Sequence, residues 1–367
     1  VSEGGYARPA LPPAPLKLDL NEAPWDADGL FRQRFLAFLQ RAELRRYPPQ
    51  DAWPAREAAA QLYGWRPEGT LVGNGSNELL AAALATFAGS GKKVLAFAPS
   101  FSVYPWLVRR AGGELVAVPL LPPTFAIPEE ALLQAAEGAD FLLLCSPNNP
   151  TGGEISPALW HKVLALGKPT LWDGAYWEFG RLGPKDVATS SAAETGPPEG
   201  EVAYWLASYP NLMITRTLSK VWGVAAVRAG CLLAGPELVA RVSRTLLPFA
   251  PGVAVWAAFA AAASMPEVGT RRAVQVRACR EEQLQALACL GGVEVVPSYG
   301  NFFLLRVPGL LGEQLAELLA RQGVSVRPVP ELSAEGYVRI TVGTREEGER
   351  LVQAVQEVAH GIATGKS

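Results

Sequence analysis

Between residues 94 and 234 one pattern recurs: a short apolar run, then a stretch long enough for a helix. The runs fall at 94–98, 115–120, 141–145, 170–173, 212–216 and 230–234, and a helix-length segment from Asn77 to Ala88 precedes the first. Runs this continuously apolar suit strands covered on both faces. The alternation predicts an α/β architecture, a mainly parallel sheet sandwiched by helices. Ligands in such sheets bind beyond the strand ends. The last hundred residues read differently, with a helix near 271–290 and strands at 293–296, 302–307, 324–327 and 337–342, a smaller α+β domain. Near the N-terminus, residues 1–15 suggest an extended arm, and Phe31, Phe35, Phe38, Leu39 and Leu44 recur at near-helical spacing from Leu30 to Arg46. A chain of 367 residues with 49% apolar content can bury two cores. The expected division is 1–44 as arm and part of the small domain, 45–265 as the large domain, and 266–367 as the rest of the small one.

Charge and composition exclude several functions. The formal net charge is −2, with no basic run, so neither nucleic acid nor a membrane surface is an expected partner. Leu246 to Met265 is uncharged, but Pro248, Pro251 and Gly252 make it a buried loop and helix rather than a membrane span. Gly183 to Glu201 reads as an exposed loop. Cys145, Cys231, Cys279 and Cys289 form no CxxC pair and no signal peptide is evident, which predicts reduced thiols and a cytoplasmic location. His161 and His360 are the only histidines, too few for a histidine-rich metal site, and no metal is expected. Proton transfer then falls to a group such as a lysine with a lowered pKa.

The segment Ile214 to Arg228, ITRTLSKVWGVAAVR, supplies that lysine. Lys220 can form a Schiff base with the aldehyde of pyridoxal 5′-phosphate, while Thr217, Ser219 and Arg228 serve its phosphate. Pyridoxal chemistry needs a carboxylate beside the ring nitrogen, and Asp173 ends the run at 170–173. The turn CSPNNPTG at 145–152 can present Asn149 to the ring oxygen. In VGNGSNE, at 72–78, a glycine-bearing loop leads into a helix whose first N–H groups, at Ser76 and Asn77, suit the phosphate. Phe101 can stack on the ring, although a lone aromatic is more often core. Alternation along 338–342 turns Arg339 away from Val338, Ile340 and Val342, toward the cleft. Arg327 is likewise opposed to Val324 and Val326.

In this order these segments resemble the aspartate aminotransferase superfamily, the fold type I pyridoxal enzymes, and most closely its histidinol-phosphate aminotransferases. The resemblance runs from LDLNEAPWD at 18–26 through RRYPPQ at 45–50 and SPNNPTG to VRITVGTREE at 338–347. It implies Lys220 as Schiff-base lysine and proton shuttle, Asp173 as pyridine partner, and Asn149 and Tyr176 as ligands of the ring oxygen. It implies that Arg339 grips a substrate carboxylate or phosphate, that Arg327 assists with phosphate, and that Tyr47 reaches the partner's cofactor in a homodimer. The implied reaction exchanges an amino group between glutamate/2-oxoglutarate and a small amino compound, histidinol phosphate first. Other members of the superfamily are the alternatives: an aromatic or broad-range aminotransferase, or a threonine-phosphate decarboxylase. A pyridoxal-binding regulator would need a DNA-binding module, for which the residues before 18 leave no room. Three positions depart from the usual pattern: Gly174 in DGAY, Ala226 ahead of the arginine, and Ala23 near the phosphosubstrate pocket.

Overall fold

The computed structural model describes residues 12–181 and 202–364. The arm before Pro12 and the loop at 183–201 lie outside the described residues. All six apolar runs are strands, and a seventh, Thr70–Asn74, joins them. Across the sheet the order is Thr70–Asn74, Ala229–Ala234, Leu212–Thr217, Thr170–Asp173, Phe141–Cys145, Lys93–Ala98, Glu114–Pro119. Only Ala229–Ala234 runs against its neighbours; the other pairings are parallel. Phe141, Leu142, Leu143 and Leu144 are all fully buried, as a strand covered on both faces requires. Helix Ser76–Phe87 packs on one face with Leu79, Leu80, Ala83 and Leu84 buried, the three-and-four spacing of a core-facing stripe.

A second, antiparallel sheet has the order Arg327–Pro328, Val338–Thr341, Phe302–Arg306, Glu294–Val296. Helices Pro266–Ala288, Gly312–Arg321 and Arg345–Ala363 accompany it. The N-terminal segment comes here too: Leu16–Lys17 pairs in parallel with Val324–Ser325, and Thr341 N–H donates to the Leu18 carbonyl.

Three expectations need correction. Residues 72–74, read as a loop, end the strand Thr70–Asn74; Gly73 and Asn74 hide a strand whose order comes from pairing with Ala229–Ala234. The helix expected over 30–46 spans Gly29–Arg41, with Asp28 accepting from the Leu30 N–H at 2.9 Å. Leu44 is 76% exposed, so no burial carries the helix on toward Pro48. The stretch 324–327 is two strands in two sheets. The long uncharged run ends in helix Val253–Ala263, with Val255, Phe259 and Ala262 buried. It meets helix Pro266–Ala288 at 83°, and no single helix among the described residues is long and apolar enough to cross a membrane.

Candidate active site

Parallel strands bring their carboxyl ends to one edge, and there the candidate residues gather. Cys145, Asp173 and Thr217 are each the last residue of a strand, and Arg228 immediately precedes the antiparallel one. They border a cleft of about 590 Å³, within the usual range for a small-molecule site. Ser76, Asn77, Phe101, Asn149, Asp173, Tyr176, Thr217, Ser219, Lys220, Arg228 and Arg339 all line it.

Lys220 stands over the cleft floor. Its Nζ donates to the Asn21 carbonyl at 2.9 Å and lies 5.6 Å from the centre of the Tyr176 ring. Burial lowers its ammonium to about 7; the Arg339 guanidinium adds to this and the Glu22 carboxylate opposes it. The amine is therefore available in both protonation states near neutrality. Asp173, 3% exposed, accepts at Oδ2 from the Tyr104 hydroxyl at 2.7 Å. Its Oδ1 accepts from Thr215 Oγ1 at 3.1 Å and the Ala175 N–H at 3.2 Å. Burial raises its pKa, while these donors pull it back down.

Tyr176 and Asn149 are each tied to the N-terminal segment, Tyr176 directly and Asn149 through Arg339. The Tyr176 oxygen accepts from Asn21 Nδ2 at 3.0 Å, and burial pushes the phenol up, so it stays protonated. Arg339 donates to Asn149 Oδ1 and to the Asp19 carbonyl, both at 2.7 Å. Alternation does turn Arg339 from the core: Val338 and Ile340 are fully buried on the opposite face.

The far corner is built for close approach. Gly75, at φ +82°, precedes helix Ser76–Phe87, and a Cβ there would lie 2.5 Å from Arg228 Nη2. A Cβ on Gly230 would collide with the Ser76 nitrogen. Two glycines thus let a helix N-terminus and a guanidinium converge, an arrangement that favours an anion. Thr217 and Ser219 add hydroxyls, 3.0 Å apart and buried.

Two candidates stand apart. Tyr47, 82% exposed, lines a separate groove with Phe38 and Trp256 and lies 5.1 Å, ring to ring, from Phe249. Arg327 is buried and does not line the cleft; it sits opposite Arg339 in the antiparallel register. Of the three departures, Gly174 has a packing reason, since a Cβ would lie 2.9 Å from the Thr215 carbonyl. Glu22, rather than Ala23, lines the cleft. Cys145 also lines it, but burial raises its thiol, which leaves a poor nucleophile.

Sequence reasoning missed Asn21, Tyr104 and Thr215. Asn21, 1% exposed and at φ +52°, bonds Tyr176, Thr341 and Asn301. Its one sequence signal was membership of LDLNEAPWD. Tyr104 and Thr215 are buried and carry no separate sequence signal.

The chain belongs to the class I and II aminotransferases, whose sequence model matches residues 16–355. It is an aminotransferase with pyridoxal 5′-phosphate as its cofactor. It is 33% identical over 370 residues to the histidinol-phosphate aminotransferase of Thermococcus gammatolerans, covering 100% of this chain and 96% of that one. Among solved structures it is similar to the histidinol-phosphate aminotransferase from Clostridium acetobutylicum, with TM-score 0.82 and 20% identity over 94% of this chain and 99% of that one. It is also similar to the Sinorhizobium meliloti histidinol-phosphate aminotransferase in complex with pyridoxal-5′-phosphate, with TM-score 0.78 and 22% identity over 95% and 92%. The residues present fit that cofactor: an amine near 7, a buried carboxyl, and a corner in which added Cβ atoms would crowd Arg228 and the Ser76 nitrogen.

Proposed function

We propose that this protein moves an amino group from histidinol phosphate to 2-oxoglutarate, with Lys220 as the cofactor-bearing residue and proton carrier. The observation that carries this reading is the placement of Lys220: an amine at about 7, on the floor of the cleft, between the anion corner at Arg228 and the Arg339 guanidinium. When bound, the cofactor supplies an electron sink for the substrate carbon that loses its proton. Asp173 holds the ring nitrogen's proton by charge and hydrogen bonding. Asn149 and Tyr176 would serve the ring oxygen, and Phe101 would pack against the ring. Ser76 and Asn77, at the helix start, share the cofactor phosphate with Thr217, Ser219 and Arg228. Lys220 Nζ takes the proton from the substrate carbon and returns it, a task suited to a pKa near the working pH.

For the donor, the support is the full-length likeness to a histidinol-phosphate aminotransferase together with two arginines on one sheet face. Cross-strand partners share a face, so Arg327 lies on Arg339's side. Arg339 orients a substrate carboxylate by a planar, forked contact, and Arg327 adds charge for the phosphate. Tyr47, exposed outside its own cleft, supports a homodimer in which it reaches the partner's cofactor; a monomer by light scattering would refute this. A division at residues 44 and 265 is the domain reading that two sheets favour. Four free cysteines suit the cytoplasm.

The donor assignment is tested with Arg327→Ala. Loss of a charge-assisted bond should cut kcat/KM for histidinol phosphate about 10- to 150-fold, with a smaller loss for glutamate. Equal losses for both donors would deny Arg327 a phosphate-specific part.

A further inference from the structure

Asp173 has an unusual set of partners for a buried carboxylate. Three neutral donors supply its described hydrogen bonds: the Tyr104 hydroxyl, the Thr215 hydroxyl and the Ala175 N–H. The guanidinium next along the strand from Thr215 is turned elsewhere, since Arg216 pairs with Glu178 at 2.7 Å. The titratable groups that face Asp173 are Tyr104, Cys145, Tyr176 and Lys220. Burial raises Tyr104, Cys145 and Tyr176, so all three are neutral at working pH. Tyr104 makes the shortest contact and is itself anchored, 1% exposed at the start of helix Tyr104–Ala111 and edge-on to Phe101 at 5.5 Å.

A carboxyl buried without donors takes up a proton, and a protonated carboxyl cannot hold a second one for the ring nitrogen. We propose that Tyr104 is a positioning residue that keeps Asp173 ionised and aimed as the acceptor for the cofactor's ring nitrogen. This rests on the reading of Asp173 given above. The Tyr104 hydroxyl bonds the Asp173 carboxylate and also meets the Cys145 thiol, and it can be removed without removing the ring, which makes the role separable from packing.

The test follows pyridoxal 5′-phosphate affinity against pH, by quenching of protein fluorescence, in full-length Lys220→Ala protein, where the lysine's own titration is gone. Adding Tyr104→Phe should move the acid limb of the affinity profile up by about one pH unit. Affinity should then be about 10-fold lower on the acid side and converge with the parent on the alkaline side. Thr215→Val should move the limb the same way by a smaller amount. A profile that superimposes on the parent, or a uniform loss at every pH, overturns the proposal. Asp173→Asn separates the two levels. If the limb vanishes in that variant yet does not move in Tyr104→Phe, only the role of Tyr104 falls. A limb that survives Asp173→Asn overturns the reading of Asp173, and Tyr104 with it.

Discussion

The floor of the cleft and its lip are built in different ways. On the floor, Cys145, Asp173 and Thr217 end adjacent strands, and Lys220 follows three residues after the last of them. Sheet register places these groups, so each is positioned by its own strand. The lip joins distant parts of the chain. Asn21 and Thr341, 320 residues apart, share hydrogen bonds, and Arg339 reaches the Asp19 carbonyl across the same separation. Main-chain order fixes the floor; long-range polar contacts fix the lip. In the proposed function, the floor carries the chemistry and the lip holds the substrate.

The largest effect should come from the floor. Lys220→Ala is expected to abolish transamination, at least about a 10⁴-fold loss in kcat, because it removes the amine proposed both to bear the cofactor and to carry the proton. Turnover at the wild-type rate in cofactor-loaded variant would break the floor's assignment. A smaller effect should follow at the lip. Asn21→Ala removes the side-chain bonds with Tyr176 and with the Thr341 hydroxyl, at 3.0 and 3.4 Å, but keeps the main-chain bonds to Thr341 and Lys220 and leaves Asp173 in place. A loss of about 10-fold in kcat/KM is expected, with cofactor content preserved, in line with one or two buried hydrogen bonds. The measurement is steady-state kinetics at matched cofactor occupancy. If Asn21→Ala matches Lys220→Ala, the distinction between floor and lip disappears.

The same contrast explains what could be read in advance. Strands covered on both faces advertise themselves as apolar runs, so six of the seven in the large sheet stood out. Thr70–Asn74 did not, because Gly73 and Asn74 take its carboxyl end and its partner lies about 160 residues away. Lys220, Asp173 and Asn149 were legible because each sits in a short run of residues with no other evident purpose. Tyr104 and Thr215 were not, since a buried tyrosine or threonine beside apolar neighbours carries no mark of the carboxylate it bonds. Asn21 depends on a fold in which the N-terminal segment reaches the second sheet, and no local period encodes that. Alternation did orient Arg339, but nothing local shows that Arg327, paired across from it, is buried.

The most direct test of the proposed reaction uses single-turnover half-reactions with wild-type holoenzyme. Histidinol phosphate, glutamate, phenylalanine and tyrosine are each mixed with cofactor-loaded protein, and conversion of the cofactor to its amine form is followed by absorbance. Histidinol phosphate and glutamate should convert it, with histidinol phosphate showing the highest rate constant per unit concentration. Preference for phenylalanine or tyrosine over histidinol phosphate would contradict the donor assignment, and no conversion with any amino donor would contradict the assignment of the cleft.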